Sequence, residues 1–235
     1  MRAGFVPALI FGVAVGNVLQ GVPFRFDDTM RSFYEGNFFG LLNPFALLCG
    51  LASVAMLVVH GASWLVVKIE HGPVLNRAAK FGQIAALLVI VFYAAAGVWL
   101  AVAGMGYRIV TDMDPNTVAN PLRKEVVVEA GAWLTNYGKY PWMILAPALG
   151  FSGSALSFVG LKNKTSLSLI GSGLAATGIV ASVGTSMFPF ILPSSINPNA
   201  SLTVWDSSSS HLTLFIMLIV TVIFVPIILA YTAWV

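Results

Sequence analysis

From Leu212 to Trp234 the chain runs without one charged side chain, and five other stretches are nearly as apolar: about 3–20, 42–67, 81–106, 141–161 and 166–190. A helix of about 20 apolar residues crosses the hydrocarbon core of a bilayer. That core holds no water to satisfy backbone N–H and C=O groups, so each run must close its hydrogen bonds within itself, as a helix. Strands of a membrane barrel would be about ten residues long and strictly alternating; these runs show neither feature. The expectation is an all-α fold, a polytopic transmembrane helical bundle of about six spans, forming a single transmembrane helical domain over residues 1–235. Composition agrees, because only 9% of the residues are charged where a soluble domain carries about 25%.

The connections differ in kind. The two short ones, near 68–80 and 162–165, hold Lys68, Arg77, Lys80, Lys162 and Lys164. The three long ones, near 21–41, 107–140 and 191–211, hold every acidic residue except Glu70. The positive-inside rule puts the short loops and both termini in the cytoplasm and the long loops outside. The first run passes into GNVLQGVPF with no small-residue cleavage site, so a retained helix is expected rather than a signal peptide. Net charge is +3 and the basic residues are scattered, which gives no footprint for nucleic acid. Cys49 is the only cysteine, so no disulfide forms within the chain.

Small residues suggest where helices meet. Gly12 and Gly16 make a G-x-x-x-G pair, and Gly171, Ala175, Gly178, Ser182 and Thr185 form a stripe at helical spacing. Close approach of this kind is what holds helices together in lipid. Pro147, Pro189 and Pro226 are expected inside helices, as kinks or ends.

Candidate chemistry is sparse. His60, in LVVHGASWLVV, is the one histidine within an apolar run; it suits a proton relay, a quinone hydrogen bond or a heme ligand. The plainer alternative is a ring satisfied by a serine or a carbonyl of a neighbouring helix. Heme ligation lacks a second histidine at the same depth, since His71 and His211 fall at helix ends. Glu125 and Glu129, at i and i+4, are expected on one face of a short helix, as a solvated interfacial pair or as part of a proton exit or subunit contact. Trp64, Trp99, Trp133, Trp142, Trp205 and Trp234 read mostly as interface anchors. Trp99 lies deeper in its run, where it could pack on a quinone or a partner helix. In the last long loop Trp205 is expected at the interface, with Asp206 or one of Ser207 to Ser210 capping the next helix. No nucleotide loop, zinc motif or nucleophile triad is present.

Four stretches carry a family resemblance. They are MFPFILPSSINPNASLTVWDSSSSH over 187–211, GNVLQGVPF over 16–24, GNFFGLLNPF over 36–45 and NPLRKEVVVEAGAWL over 120–134. In order and spacing they resemble subunit II of the bacterial cytochrome bd ubiquinol oxidases, over almost the whole chain. The chain would correspond to the C-terminal two thirds of that subunit, a form truncated at its N-terminus and lacking the helices that hold the family's proton-route acids. The resemblance implies a bacterial inner-membrane subunit of the aerobic respiratory chain. It would pair as a heterodimer with a heme-bearing subunit I that oxidises quinol and reduces dioxygen to water. The b and d hemes are then expected in subunit I, with no cofactor or metal bound by this chain alone and a structural quinone in some members. Implied partners are subunit I, quinol and lipid, with no nucleic acid. A secondary transporter or channel is the alternative; it requires broken helices and polar groups converging at the midplane, and transport in liposomes would separate the two.

Overall fold

The structure, a computed structural model, describes residues 2–111 and 120–234, so Asp112 and Asp114 of the second long loop lie outside the described residues. Seven helices are described: α1 (Arg2–Gln20), α2 (Pro44–Lys68), α3 (Pro73–Val102), α4 (Ala132–Lys139), α5 (Leu145–Asn163), α6 (Leu167–Met187) and α7 (His211–Trp234). Five spans are long and apolar enough to cross a membrane: α2, α3, α5 with its leading turn, α6 and α7. The first expected span is shorter than these by its described apolar stretch, Gly4–Gln20. Its last turns hold Asn17, whose amide donates to Val13 O and to Leu41 O. The chain is a multi-pass helical membrane protein.

Several boundaries depart from the expected ones. α3 begins at Pro73, not near 81, and ends at Val102, not near 106. Proline at the first helical position costs no hydrogen bond there and starts the helix early; Arg77 and Lys80 then lie in its opening turns rather than in a loop. α6 stops at Met187, so Pro189 is outside a helix, in a cis peptide bond after Phe188. α2 starts where expected: Asn43 caps it by accepting from Ala46 N–H at 2.9 Å, with Pro44 next.

α2, α3, α5 and α6 form a closed ring of contacts, with α1 against α2. Their common core is Ala55, Val59, Ala62, Leu75, Ala86, Val89 and Leu161. Small residues set the closest approaches. A Cβ on Gly16 would fall 2.6 Å from Ala46 Cα, and one on Gly171 would fall 2.5 Å from Ser157 N. Contacts this short leave room only for hydrogen, so the α1–α2 and α5–α6 backbones touch directly. None of the α7 side chains is buried. Both short turns lie at one end of the ring, where Lys164 Nζ donates to Asn76 Oδ1 at 2.7 Å.

Candidate functional site

The three long connections meet at the other end of the ring and build a cap. Each forms an antiparallel hairpin: β1 (Phe24–Phe26) with β2 (Ser32–Tyr34), β3 (Tyr107–Ile109) with β4 (Val126–Val128), and β5 (Phe190–Leu192) with β6 (Leu202–Thr203). In lipid, isolated strands this short would leave unpaired backbone groups. Beyond the helix ends they pair with one another. The three hairpins are stitched together. Val22 bridges Ser194, whose hydroxyl donates to Phe24 O, and Val126 N–H donates to Asn199 Oδ1 at 2.8 Å.

Trp133, 1% exposed, is the centre of the cap. Its ring packs on Tyr107 at 5.6 Å and on Phe190 at 5.7 Å, and its Nε1–H donates to Leu19 O at 2.9 Å. The expectation of an interface anchor at Trp133 is therefore corrected: a nearby backbone acceptor lets the indole bury completely. Asn136, one turn on, donates to Thr185 O, Ser186 O and Phe188 O, the free carbonyls where α6 ends. Tyr107 O–H donates to Gln20 O at 3.1 Å, at the end of α1. Burial raises the Tyr107 phenol above the ordinary tyrosine range.

A fully buried ion pair locks the second hairpin loop to the third. Lys124 Nζ donates to Asp206 Oδ2 and, at 2.6 Å, to Pro121 O, while Asp206 Oδ1 accepts from Thr203 N–H at 2.7 Å. Asp206 therefore does not cap α7, as one expectation had it. Its carboxylate is committed inside the cap, and Ser210 accepts from Thr213 N–H instead. Two exposed pairs lie at the cap surface, Arg25 with Glu35 and Arg108 with Glu129. The neighbouring carboxylate raises the Arg25 guanidinium. Backbone N–H of Arg31, then the Thr29 side chain, hold Asp27 below the ordinary carboxylate range.

The other candidate residues are dispersed. Glu125 and Glu129 flank β4 and do not share a helix, because Val126, Val127 and Val128 pair with β3. Three consecutive β-branched residues favour the strand over the expected helical turn. Glu125 N–H is held by Thr111 Oγ1 at 2.6 Å. Trp205 is partly exposed and packs edge-on against Phe188 at 5.9 Å. Trp99 is in the last turn of α3, not deep, because that helix ends at Val102. It packs on Phe45 at 5.9 Å and lines a shallow apolar hollow of about 480 Å³ with Ala95, Val98 and Val102. His60 lies about two turns before the end of α2, its Nδ1 3.0 Å from Ser172 Oγ. Gly12 and Gly16 face α2, Gly171 and Gly178 face α5, and Ser182 accepts a hydrogen bond from Tyr93 O–H at 2.7 Å.

Sequence reasoning missed Lys124, Trp133 and Asn136 as the residues that organise the cap. One signal was available for the first. Asp206 is the only ionisable residue from 188 to 210, so if buried it must find its cation in another loop.

The profile of the family described as cytochrome bd terminal oxidase subunit II matches residues 1–235. A protein of Haemophilus influenzae named probable cytochrome oxidase subunit 2 is 46% identical over 232 residues, which is 98% of this chain and 61% of that protein. The cytochrome bd-I ubiquinol oxidase subunit 2 of Escherichia coli strain K12 is 47% identical over 231 residues, again 98% of this chain and 61% of that one. The chain thus spans about 61% of the length of these curated relatives.

Proposed function

The chain belongs to the cytochrome bd terminal oxidase subunit II family, and we propose that it serves as the non-heme subunit of a quinol:oxygen oxidoreductase in the bacterial inner membrane. In this reading it packs as a heterodimer against a heme-bearing subunit I, which oxidises quinol and reduces dioxygen to water. The observation that carries it is the 47% identity to the Escherichia coli subunit over 98% of the chain. The fold supports it further: the four stretches that carry the resemblance all contribute to the cap or to the helix ends beneath it.

The described histidines form no bis-histidine heme site. His60 lies within α2, while His71 follows α2 and His211 opens α7 at the opposite end. They lie at different depths, so two axial imidazoles cannot be drawn from that set. What the chain's residues do is hold helices together and close the outer surface over them. Co-expression with a heme-bearing subunit should give a complex that co-purifies with a Soret band and consumes oxygen, while the chain alone gives neither. A Soret band and oxygen consumption from the isolated chain would overturn the accessory role.

Two further outcomes are expected. His60→Ala should leave the heme spectrum of the assembled complex unchanged, because among the described residues no second histidine shares its layer. Loss of one b-type signal with assembly intact would make His60 a ligand. For orientation, we place the cap outside and the helix ends that carry Lys68, Arg77, Lys80, Lys162 and Lys164 in the cytoplasm. A single cysteine at Ser208, in a background without Cys49, should react with an impermeant thiol reagent in intact spheroplasts, and one at Asn163 should not. The opposite pattern reverses the topology.

A further inference from the structure

A cavity of about 240 Å³ opens in the cap between β3, α4 and the turn at Phe188 to Phe190. Trp133, Phe188 and Trp205 supply aromatic walls, and Arg108 and Lys139 line it as cations. Arg108 donates through Nε to Glu129, and its terminal amino groups donate to no other described residue. Lys139, exposed at the end of α4, forms no ion pair among the described residues. Among the described residues, the cavity is lined by two cations, Arg108 and Lys139, and one acid, Glu129, pairs with the first; Asp112 and Asp114 lie outside the described residues.

The depth of the cavity is set by its neighbours. Phe188 directly follows the last residue of α6, and Lys139 leads through Tyr140 into Trp142, 62% exposed, at the entry to α5. Exposed tyrosine and tryptophan at span ends mark the headgroup layer of a bilayer. Beyond them Ile144 and Leu145 are exposed as well and offer a surface for acyl chains.

We propose that this cavity binds the phosphodiester headgroup of an anionic phospholipid. Arg108 and Lys139 contact the phosphate oxygens, and the aromatic walls cover the glycerol. A guanidinium and an ammonium give the charge-assisted donors that a phosphate monoanion takes. An anionic headgroup brings no cation of its own to compete with Arg108 and Lys139 for the phosphate, which leaves a zwitterionic headgroup less favoured. A free phosphate shares the oxygens but lacks chains to lie on Ile144 and Leu145.

The test is native mass spectrometry of the full chain in mild detergent, titrated with dioleoyl phosphatidylglycerol, dioleoyl phosphatidylcholine or inorganic phosphate. One tight phosphatidylglycerol is expected on the wild type. Lys139→Gln should weaken it roughly tenfold, the factor for one charge-assisted contact, and Lys139→Arg should restore it. Arg108→Gln should weaken it as well, but Lys139→Gln decides the matter should the loss of the Glu129 pair unfold β3 and β4. Unchanged affinity in Lys139→Gln, or equal binding of phosphatidylcholine, overturns the site. Displacement of the lipid by an equal concentration of inorganic phosphate overturns the lipid assignment.

Discussion

Lys124→Met is expected to be the most damaging single change in the cap, at about 3–5 kcal/mol. The two side chains of the pair are 0% and 2% exposed. Removing the cation leaves the Asp206 carboxylate buried with Thr203 N–H as its one remaining partner among the described residues. A lone buried charge costs far more than the pair itself contributes, because the desolvation penalty is no longer offset. The loss should appear as a lower thermal unfolding midpoint in detergent and as protease cleavage within residues 188–210. Combining Lys124→Met with Asp206→Asn should recover most of it. The amide oxygen still accepts from Thr203 N–H, and no charge remains to be buried. A single variant as stable as the wild type would mean that water reaches Asp206; a double variant as unstable as the single would mean that Lys124 acts through packing and its bond to Pro121 O.

The second large effect is a reversal of sign at glycine. Gly178 on α6 lies against the backbone of Gly150 on α5, and a Cβ there would collide with Gly150 N and come 2.8 Å from Ala146 O. In an exposed helix interior, Gly→Ala stabilises by roughly 1 kcal/mol. Gly178→Ala should instead destabilise by about 1–3 kcal/mol or more, the range for overpacking, because the atoms it meets are backbone and cannot rotate away. Gly173, on the same helix, meets nothing within 4 Å, so Gly173→Ala should be neutral or stabilising. The pair of variants separates the two contributions, propensity and contact, in one helix. Equal midpoints for both would show that α5 and α6 do not approach this closely in the membrane.

The class of the fold was legible from the residues because a bilayer is an unforgiving solvent. An apolar run of spanning length has one way to satisfy its backbone, and that way is local. The crowding of Lys68, Arg77, Lys80, Lys162 and Lys164 at one set of helix ends was legible for the same reason, since charge is excluded from the core wherever the chain crosses it. Gly171 and Gly178 stood out by spacing alone, because helical period maps sequence directly onto one face. The four stretches of resemblance point to the family from their residues alone, and the match over residues 1–235 shows it.

Beyond the helix ends that local determination stops. Water can satisfy a loop's backbone, so periodicity says nothing about which of many conformations is taken. Glu125 and Glu129 have helical spacing, yet the strand wins because β3, from the far side of the loop, supplies partners for Val126 to Val128. Asp206 and Ser207 to Ser210 all looked able to cap the next helix; Ser210 accepts from Thr213 N–H, while the partner of Asp206 is Lys124, 82 residues away in the chain. Trp133 looked like an anchor at the membrane surface, yet Leu19 O and two aromatic rings from other connections enclose it. Each of these outcomes depends on two or three distant segments arriving at one place. The residues alone determined that this chain is a bundle of membrane helices; only the tertiary structure decided that its three polar connections close into one cap, because contacts between segments carry no period along the chain.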